Sequence, residues 1–151
     1  KAKSVRLSYN FTLSELTRSQ TAARIGIDNT PNEQQVENLQ RVCAEILQPV
    51  RDHFGIPFAP SSGFRSVTLC EAIGSSAKSQ HAKGEAADFE LPGFDNKEVA
   101  EWVRSNLNFD QLILEYYTPD DPSSGWIHCS VVEENNRKEC LVYDGKSYSI
   151  F

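Results

Sequence analysis

Residues 79–90 of this chain read SQHAKGEAADFE, and residues 125–130 read GWIHCS. The first stretch contains His81 and Asp88, and the second contains His128. Two imidazoles and one carboxylate match the donor set of a catalytic zinc site, which uses three protein ligands and leaves a fourth position for water. The two stretches therefore predict the two halves of one metal site.

A turn and two strands would bring these three side chains together. Gly84 can adopt backbone angles that are closed to other residues, so the chain can turn between His81 and Asp88. The alternation after Gly84 predicts a strand with Asp88 on one face, and the second stretch predicts another strand that carries His128. If these strands are neighbours, Asp88 and His128 meet over one sheet face, and His81 reaches them from the preceding loop.

The alternative interpretation is that the histidines are structural. A single histidine in a strand is more often a structural residue, and spacing alone carries a real false-positive risk. His53 lies near the carboxyl end of a predicted helix, where a protonated imidazole interacts favourably with the helix dipole. We expect a structural role for His53 and do not count it as a ligand.

Capping signals predict two helices in the first third of the chain. Thr12 and Glu15 stand at capping-box spacing, before a short helix that should end near Thr21. Residues 30–33 form a second capping box and open a helix with an apolar stripe at steps of three and four residues. Pro49 falls inside that stripe and should kink the helix, because its ring clashes with the carbonyl four residues earlier.

The rest of the chain alternates predicted strands with shorter helices. We expect helices at residues 66–73 and from the cap Asp95 onward. The predicted strands are residues 58–65, 86–90, 109–117, 125–133 and 139–144, with the last two joined as a hairpin through an Asn pair. This order predicts an α+β fold in which helices pack on one face of a mainly antiparallel sheet.

Size and charge limit the function classes. The chain has 151 residues and a net charge of −6. That length suits one domain over residues 1–151, since a chain of this size buries about 70% of its unfolded surface. The negative charge argues against a nucleic-acid partner held by phosphate neutralisation. No apolar run is long enough to span a bilayer, so we expect no membrane partner, and we expect a monomer.

The four cysteines do not form a disulfide framework of the secreted kind. They are Cys43, Cys70, Cys129 and Cys140, and none of them forms a C-x-x-C pair. Cys43 lies on an apolar helix stripe and Cys129 on the buried side of a strand, as free thiols often do. Cys129 could approach Cys140 across the predicted hairpin, but we favour four free thiols.

The metal-site motif resembles a family signature. It reads Ser79-x-His81-x-x-Gly84-x-Ala86-x-Asp88, with Ser62-Gly63-Phe64-Arg65-Ser66 upstream and an aromatic residue two positions before His128. This pattern resembles that of the zinc D-Ala-D-Ala carboxypeptidases, a family that includes L-alanyl-D-glutamate endolysins of phages and has the hedgehog signalling domain as a structural cousin. The resemblance covers residues from about 30 to 132.

The resemblance implies a fold, a cofactor and a substrate. The fold would be hedgehog/DD-peptidase-like, the cofactor Zn²⁺, and the substrate a peptidoglycan stem peptide. The reaction would be that of a D-Ala-D-Ala carboxypeptidase or of an L-Ala-D-Glu endopeptidase. By analogy with phage or prophage lysis enzymes, the protein would work in the host cytoplasm and then at the cell wall, or on a virion.

Several polar residues are candidates for substrate contact or catalysis. In the family, the arginine that corresponds to Arg65 lies in the site, and a guanidinium there can anchor a carboxylate or a carbonyl oxygen. The alternative for Arg65 is a surface or carboxylate-paired arginine. Ser79 and Gln80 are expected to orient the metal loop and to contact substrate. Trp126, which shares the face of His128, is also expected to contact substrate.

The general base is the point at which this chain departs from the family. Many members supply a carboxylate three residues before the last histidine, where this chain has Gly125. Glu115, at the end of a predicted central strand, is the best substitute for accepting the proton of the attacking water. A strand-end or Arg65-paired carboxylate is the alternative for Glu115. The rival candidates for the general base are Glu85, Glu90 and Glu133.

The loop of residues 118–125 comes directly before the strand of His128, and we expect it to form one wall of the cleft.

Gly125 also motivates a second hypothesis about function. A domain without the usual base could be a non-catalytic zinc domain that binds a protein or a wall ligand, as hedgehog-type relatives indicate. A virion or tail component that retains the fold is a further alternative.

Overall fold

The computed structural model describes residues 5–151. For residues 1–9 the sequence predicts an arm or an edge strand, and residues 1–4 of this segment lie outside the described part of the chain. The helices are α1 (Leu13–Thr17), α2 (Gln20–Ile25), α3 (Glu33–Val42), α4 (Gln48–Phe54), α5 (Val67–Ala72), α6 (Gln80–Lys83) and α7 (Asn96–Asn106). The strands are β1 (Arg6–Ser8), β2 (Phe11–Thr12), β3 (Ala86–Phe89), β4 (Gln111–Glu115), β5 (Trp126–Ser130), β6 (Glu139–Tyr143) and β7 (Tyr148–Ile150).

A five-stranded sheet in the order β3-β5-β4-β6-β7 forms the centre of the protein. All of its neighbouring strands are antiparallel except β4 and β6, which are parallel. α3 packs against β3, and α7 packs against β4 and β5. The residues of these strands that face the helices are fully or almost fully buried: Ala87, Phe89, Leu112, Leu114, Ile127 and Cys129. The prediction of an α+β fold with a mainly antiparallel sheet is confirmed.

The predicted hairpin between β5 and β6 is wrong. β4 lies between them, and its Leu112 is paired with Cys129 on one side and with Cys140 on the other. The connecting segment crosses the start of β4 because Asp110 binds it there: the Asp110 carboxylate accepts hydrogen bonds from the backbone and the guanidinium of Arg137. Alternation along a strand predicts its faces but not its neighbours.

The amino-terminal helices follow their capping signals with three differences. The helix predicted to end near Thr21 is split, because Arg18 is extended and the Ser19 hydroxyl accepts a hydrogen bond from the backbone of the next helix, α2. The second capping box is formed by Asn32 and Gln35 instead of residues 30–33.

The third difference is at Pro49, where the sequence predicts a kink and the structure has a π-helical turn in the residues before the proline. Residues Cys43–Leu47 form a π-helical turn between α3 and α4, and Pro49 lies in the first turn of α4. A π turn is a common cause of irregularity in a helix.

Residues 58–65 do not form the predicted strand. Only Ser62 bridges to the sheet, where it exchanges backbone hydrogen bonds with Asp88. Pro60 has no N–H with which to extend a ladder, which accounts for the short pairing. The bridge nevertheless holds this segment beside Asp88 and thereby places Arg65 near the predicted metal site.

The four cysteines are free, as predicted, with Cys43, Cys70 and Cys129 buried and Cys140 partly exposed. Burial raises the pKa of the Cys43 thiol to about 12, so this side chain remains a neutral, apolar part of the core. Within residues 5–151, no helix has the length and apolar character needed to cross a bilayer.

We predict that Asp110→Asn destabilises the protein by about 2 kcal/mol near neutral pH, because the amide faces donors from both Arg137 and Gln80. The hydrogen bond from the Arg137 side chain holds the pKa of Asp110 below its ordinary value, against burial, which raises it. A carboxylate whose pKa is lower in the folded state stabilises the folded protein at pH values above its unfolded-state pKa of about 3.9. This contribution is lost as the pH falls through the folded-state pKa.

Urea unfolding from pH 7 to pH 3 measures this effect. The difference between the parent and Asp110→Asn should be largest near neutral pH and should shrink below about pH 4. Asp120→Asn, at an exposed position in the loop after β4, is the control and should change little at any pH. A pH-independent difference would contradict the role given to the Asp110 charge.

Candidate metal centre

Asp88 and His128 meet across two paired strands. Asp88 of β3 is directly opposite His128 of β5, and His128 is in turn opposite Ile113 of β4. Directly opposed residues in a sheet point to the same face. These side chains therefore occupy the face opposite the helix-covered core, as the sequence predicted for Asp88 and His128.

His81 reaches the same place from a one-turn helix and not from a loop. It lies in α6, where the Ser79 hydroxyl accepts a hydrogen bond from the His81 backbone N–H at 3.1 Å. Gly84 ends α6 with a φ of 77°, and a Cβ there would lie 2.7 Å from the Gln35 carbonyl oxygen. Glycine is thus required both for the backbone angle and for the close approach of α3.

The three predicted ligands form a small triangle. His128 Nδ1 lies 2.9 Å from Asp88 Oδ1, and His81 Nε2 lies 3.3 Å from the same oxygen. The two imidazole nitrogens are 3.2 Å apart. Zinc bonds of about 2.0–2.2 Å in a tetrahedral arrangement place ligand atoms about 3.3–3.6 Å apart. The triangle is close to one face of such a tetrahedron.

The tautomer of His81 fits a ligand role. His81 Nδ1 lies 2.7 Å from the Gly63 carbonyl oxygen, which can only accept, so Nδ1 donates, and in the neutral ring Nε2 then carries the lone pair. That lone pair faces Asp88 Oδ1, also an acceptor when ionised. A cation between these atoms would satisfy both. The Gly63 contact is the outer hydrogen bond that orients a metal-binding histidine.

Charge and burial in the triangle favour an ionised carboxylate. Asp88 is 9% exposed and His81 is 3% exposed. Burial raises the pKa of Asp88, but the adjacent imidazoles of His128 and His81 outweigh it, and the pKa lies well below its ordinary value. An anionic oxygen with two imidazole nitrogens is a donor set that suits zinc. The residues present therefore fit the metal.

A cleft of about 550 Å³ opens over the triangle. All the other residues predicted for the site line it, namely Arg65, Ser79, Gln80, Glu115 and Trp126. Their substrate-binding roles stay predictions. Gln80 donates a hydrogen bond to Asp110 at 3.0 Å, which fits the expected role in orienting the metal segment.

The walls of the cleft differ from those predicted. Residues 118–125 do not line it, and Pro122 and Ser123 face another groove instead. The walls that the sequence did not predict come from Ser75, Ser76, Lys78, Gln111, Arg137 and Tyr148. Arg137 and Tyr148 could not be found from sequence, because their place depends on β6 lying beside β4.

Glu115 and Asp88 are the only carboxylates of the described residues that line the cleft. Trp126 Nε1 donates a hydrogen bond of 2.8 Å to Glu115 Oε2, which fixes the carboxylate and leaves Oε1 available. Burial and the charge of Asp88 raise the pKa of Glu115, although His128 and the Trp126 hydrogen bond oppose this shift. None of the ion pairs among residues 5–151 joins Glu115 to Arg65.

The rival carboxylates lie elsewhere. Glu85, Glu90 and Glu133 do not line the cleft, and Glu90 and Glu133 are exposed. Glu90 accepts a hydrogen bond from Asn96 at 3.3 Å. Position favours Glu115 over all three.

The backbone at Gly125 excludes any side chain from the usual base position. Gly125 has a φ of 66°, and a Cβ there would overlap the Glu115 carbonyl oxygen and lie 2.7 Å from the Tyr116 carbonyl carbon. The two conditions together require glycine. The chain at 125 is thus packed against the end of β4, which carries Glu115.

A family model described as Peptidase M15 matches residues 9–130 of the chain. This match covers the metal triangle, the segment around Arg65 and the strand that carries Glu115. No curated protein matches the chain significantly.

We predict that zinc raises the melting temperature of the parent protein and that this shift requires the triangle. At a zinc concentration about 100 times the dissociation constant, binding adds about 2.7 kcal/mol, or about 5–10 °C for a protein of this size. His81→Ala and His128→Ala should lose the zinc-induced shift, as measured by differential scanning calorimetry, and a chelator should reverse it in the parent. His53→Gln is the matched control, since His53 stacks on Trp102 outside the cleft. Equal shifts in all variants would contradict the assigned ligands.

We also predict that Gly125→Ala is far more destabilising than Gly26→Ala. Both glycines have a similar positive φ, of 66° and 75°, but only at Gly125 would a Cβ meet other atoms. The backbone angle costs roughly 1–2 kcal/mol at each position, and the overlap adds about 1–3 kcal/mol at Gly125. Urea unfolding of the two variants measures the difference, and equal losses would show that the packing of Gly125 against Glu115 does not constrain the site.

Proposed function

This chain belongs to the peptidase M15 family, and we propose that it is a zinc peptidase that hydrolyses peptidoglycan stem peptides. The observation that carries the proposal is the position of Glu115. It lines the same cleft as His81, Asp88 and His128, on the strand next to that of His128. A carboxylate beside three ligands is the minimum that metal-assisted peptide hydrolysis needs.

A zinc ion held by His81, Asp88 and His128 would lower the pKa of a water towards neutrality and polarise the peptide carbonyl. Glu115 accepts the proton of the attacking water at Oε1 and passes it to the leaving amine. A carboxylate in this position can both accept a proton from water and release it to an amine. Trp126 holds the other oxygen of Glu115 and so fixes the direction in which Oε1 points.

Arg65 is one of three cationic side chains that line the cleft, together with Lys78 and Arg137. Its backbone N–H donates to the His81 carbonyl oxygen at 3.1 Å, so the two residues keep a fixed spacing. The guanidinium binds the carbonyl oxygen or a carboxylate of the substrate beside the attacked bond. Ser79 and Gln80 hold the short helix that carries His81, and their free polar atoms contact the substrate.

The non-catalytic alternative rested on Gly125 at the usual base position. The position of Glu115 supports the catalytic proposal instead, because a carboxylate from β4 lines the cleft. The bond that is cut distinguishes the two forms of the proposal: release of free D-alanine marks a carboxypeptidase, and a new amino terminus on D-glutamate marks an endopeptidase.

We predict that Glu115→Gln lowers kcat on stem peptides by about 10²–10⁴-fold without loss of zinc affinity. In the parent, kcat/KM should rise with pH as Glu115 loses its proton, because only the ionised carboxylate can accept the proton of the water. This acidic limb should be absent from the residual activity of Glu115→Gln. Product analysis by mass spectrometry and zinc calorimetry measure the two properties separately.

Glu90→Gln is the matched control. Glu90 is two residues beyond Asp88, yet it is exposed and outside the cleft, so its activity should stay near that of the parent. An unchanged rate for Glu115→Gln would remove Glu115 from the mechanism. No hydrolysis by the zinc-loaded parent would favour the non-catalytic alternative.

A further inference from the structure

Two arginines line a second groove next to the metal cleft. This groove has a volume of about 490 Å³ and lies between the α1–α2 junction and the segment that bridges to Asp88. Its lining residues are Arg18, Ser19, Gln20, Thr21, Pro60, Ser61, Ser62, Arg65, Leu69 and Ile73. None of them is acidic, although the chain as a whole has a net charge of −6. The groove is therefore a positive site on a negative protein.

The guanidiniums of Arg18 and Arg65 have no carboxylate partner within the described residues. None of the ion pairs among residues 5–151 includes Arg18 or Arg65. The Nε atom of Arg65 is buried and lacks a hydrogen-bond partner within the same residues. A buried donor of this kind costs free energy unless a ligand pairs with it.

Asn29 holds the backbone beside both arginines. Its Nδ2 donates to the carbonyl oxygens of Thr17 at 2.8 Å and Phe64 at 3.0 Å, the residues directly before Arg18 and Arg65. Its Oδ1 accepts from the backbone N–H of Ser66, directly after Arg65, at 2.7 Å. The partly buried Asn29 amide thus joins two segments that are distant in sequence and holds together the backbones that carry Arg18 and Arg65.

The groove continues from the metal centre. Arg65 lines both the groove and the metal cleft. Ser61 and Ser62, on the groove wall, both donate backbone hydrogen bonds to the Asp88 carbonyl oxygen. A peptide that has its scissile bond at the metal centre can therefore extend past Arg65 towards Arg18.

We propose that Arg18 and Arg65 together bind a carboxylate of the peptide substrate, so that Arg18 determines specificity for acidic peptides. This proposal rests on the peptidase function proposed above and names the substrate as a peptide with a free carboxylate near the cut bond. Arginine pairs with carboxylates through two parallel hydrogen bonds, which an uncharged amide cannot reproduce. The groove then selects an acid over its amide next to the cut bond.

The test compares two synthetic stem peptides, one with its carboxylates free and one with all of them amidated. Arg18→Gln should lower kcat/KM on the free acid by about 10- to 100-fold and leave kcat/KM on the amide unchanged. Arg24→Gln is the matched control: Arg24 is an exposed arginine of α2 outside the groove, and its variant should behave like the parent on both peptides.

Two results would overturn the proposal: an equal loss on both peptides, or equal behaviour of Arg18→Gln and Arg24→Gln. If the parent hydrolyses neither peptide, the peptidase function fails, and calorimetric binding of the same two peptides to the same three proteins tests the groove by itself. Preferential binding of the free acid that is lost in Arg18→Gln supports the groove, and no such preference refutes it.

Discussion

The ionised carboxylate of Asp88 is the constraint on which the rest of the structure depends. One of its oxygens faces two imidazole nitrogens, at 2.9 and 3.3 Å, in a position only 9% exposed. A charge at such a site needs nearby compensation, because burial alone would neutralise it. β3 and β5 must therefore pair in one register, α6 must end at Gly84, and the segment at Ser62 must bridge to Asp88.

The two faces of the sheet have different roles, since one packs against helices and the other carries the candidate site. One face carries apolar side chains under α3 and α7, and the other carries Asp88, His128, Glu115 and Trp126. The period of two along each strand makes this division possible, since neighbouring residues point to opposite faces. Gly125, directly before β5, packs closely against the end of β4. This packing excludes a carboxylate side chain at position 125 and fixes the end of the strand that carries Glu115.

Much of the candidate site could be predicted because its signals are local. The spacing of His81, Gly84 and Asp88 predicts a turn into a strand. The structure brings His81 and Asp88 together with His128. The caps at Thr12 and Asp95 also gave the starts of α1 and α7, since a side chain that accepts from a backbone N–H three or two residues later acts within one turn. Glu115 was found from an abrupt change of polarity at a strand end.

The sequence by itself determined which residues could bind a metal and which face of each strand is apolar. Only the tertiary structure decided that β4 separates β5 from β6, that Arg137 and Tyr148 border the cleft, and that Asn29 joins the segments of Arg18 and Arg65. The physical reason is that periodicity and capping act over a few residues. Strand order and the spacing of distant segments depend instead on hydrogen bonds between residues far apart in the chain, such as those of Asp110 and Asn29.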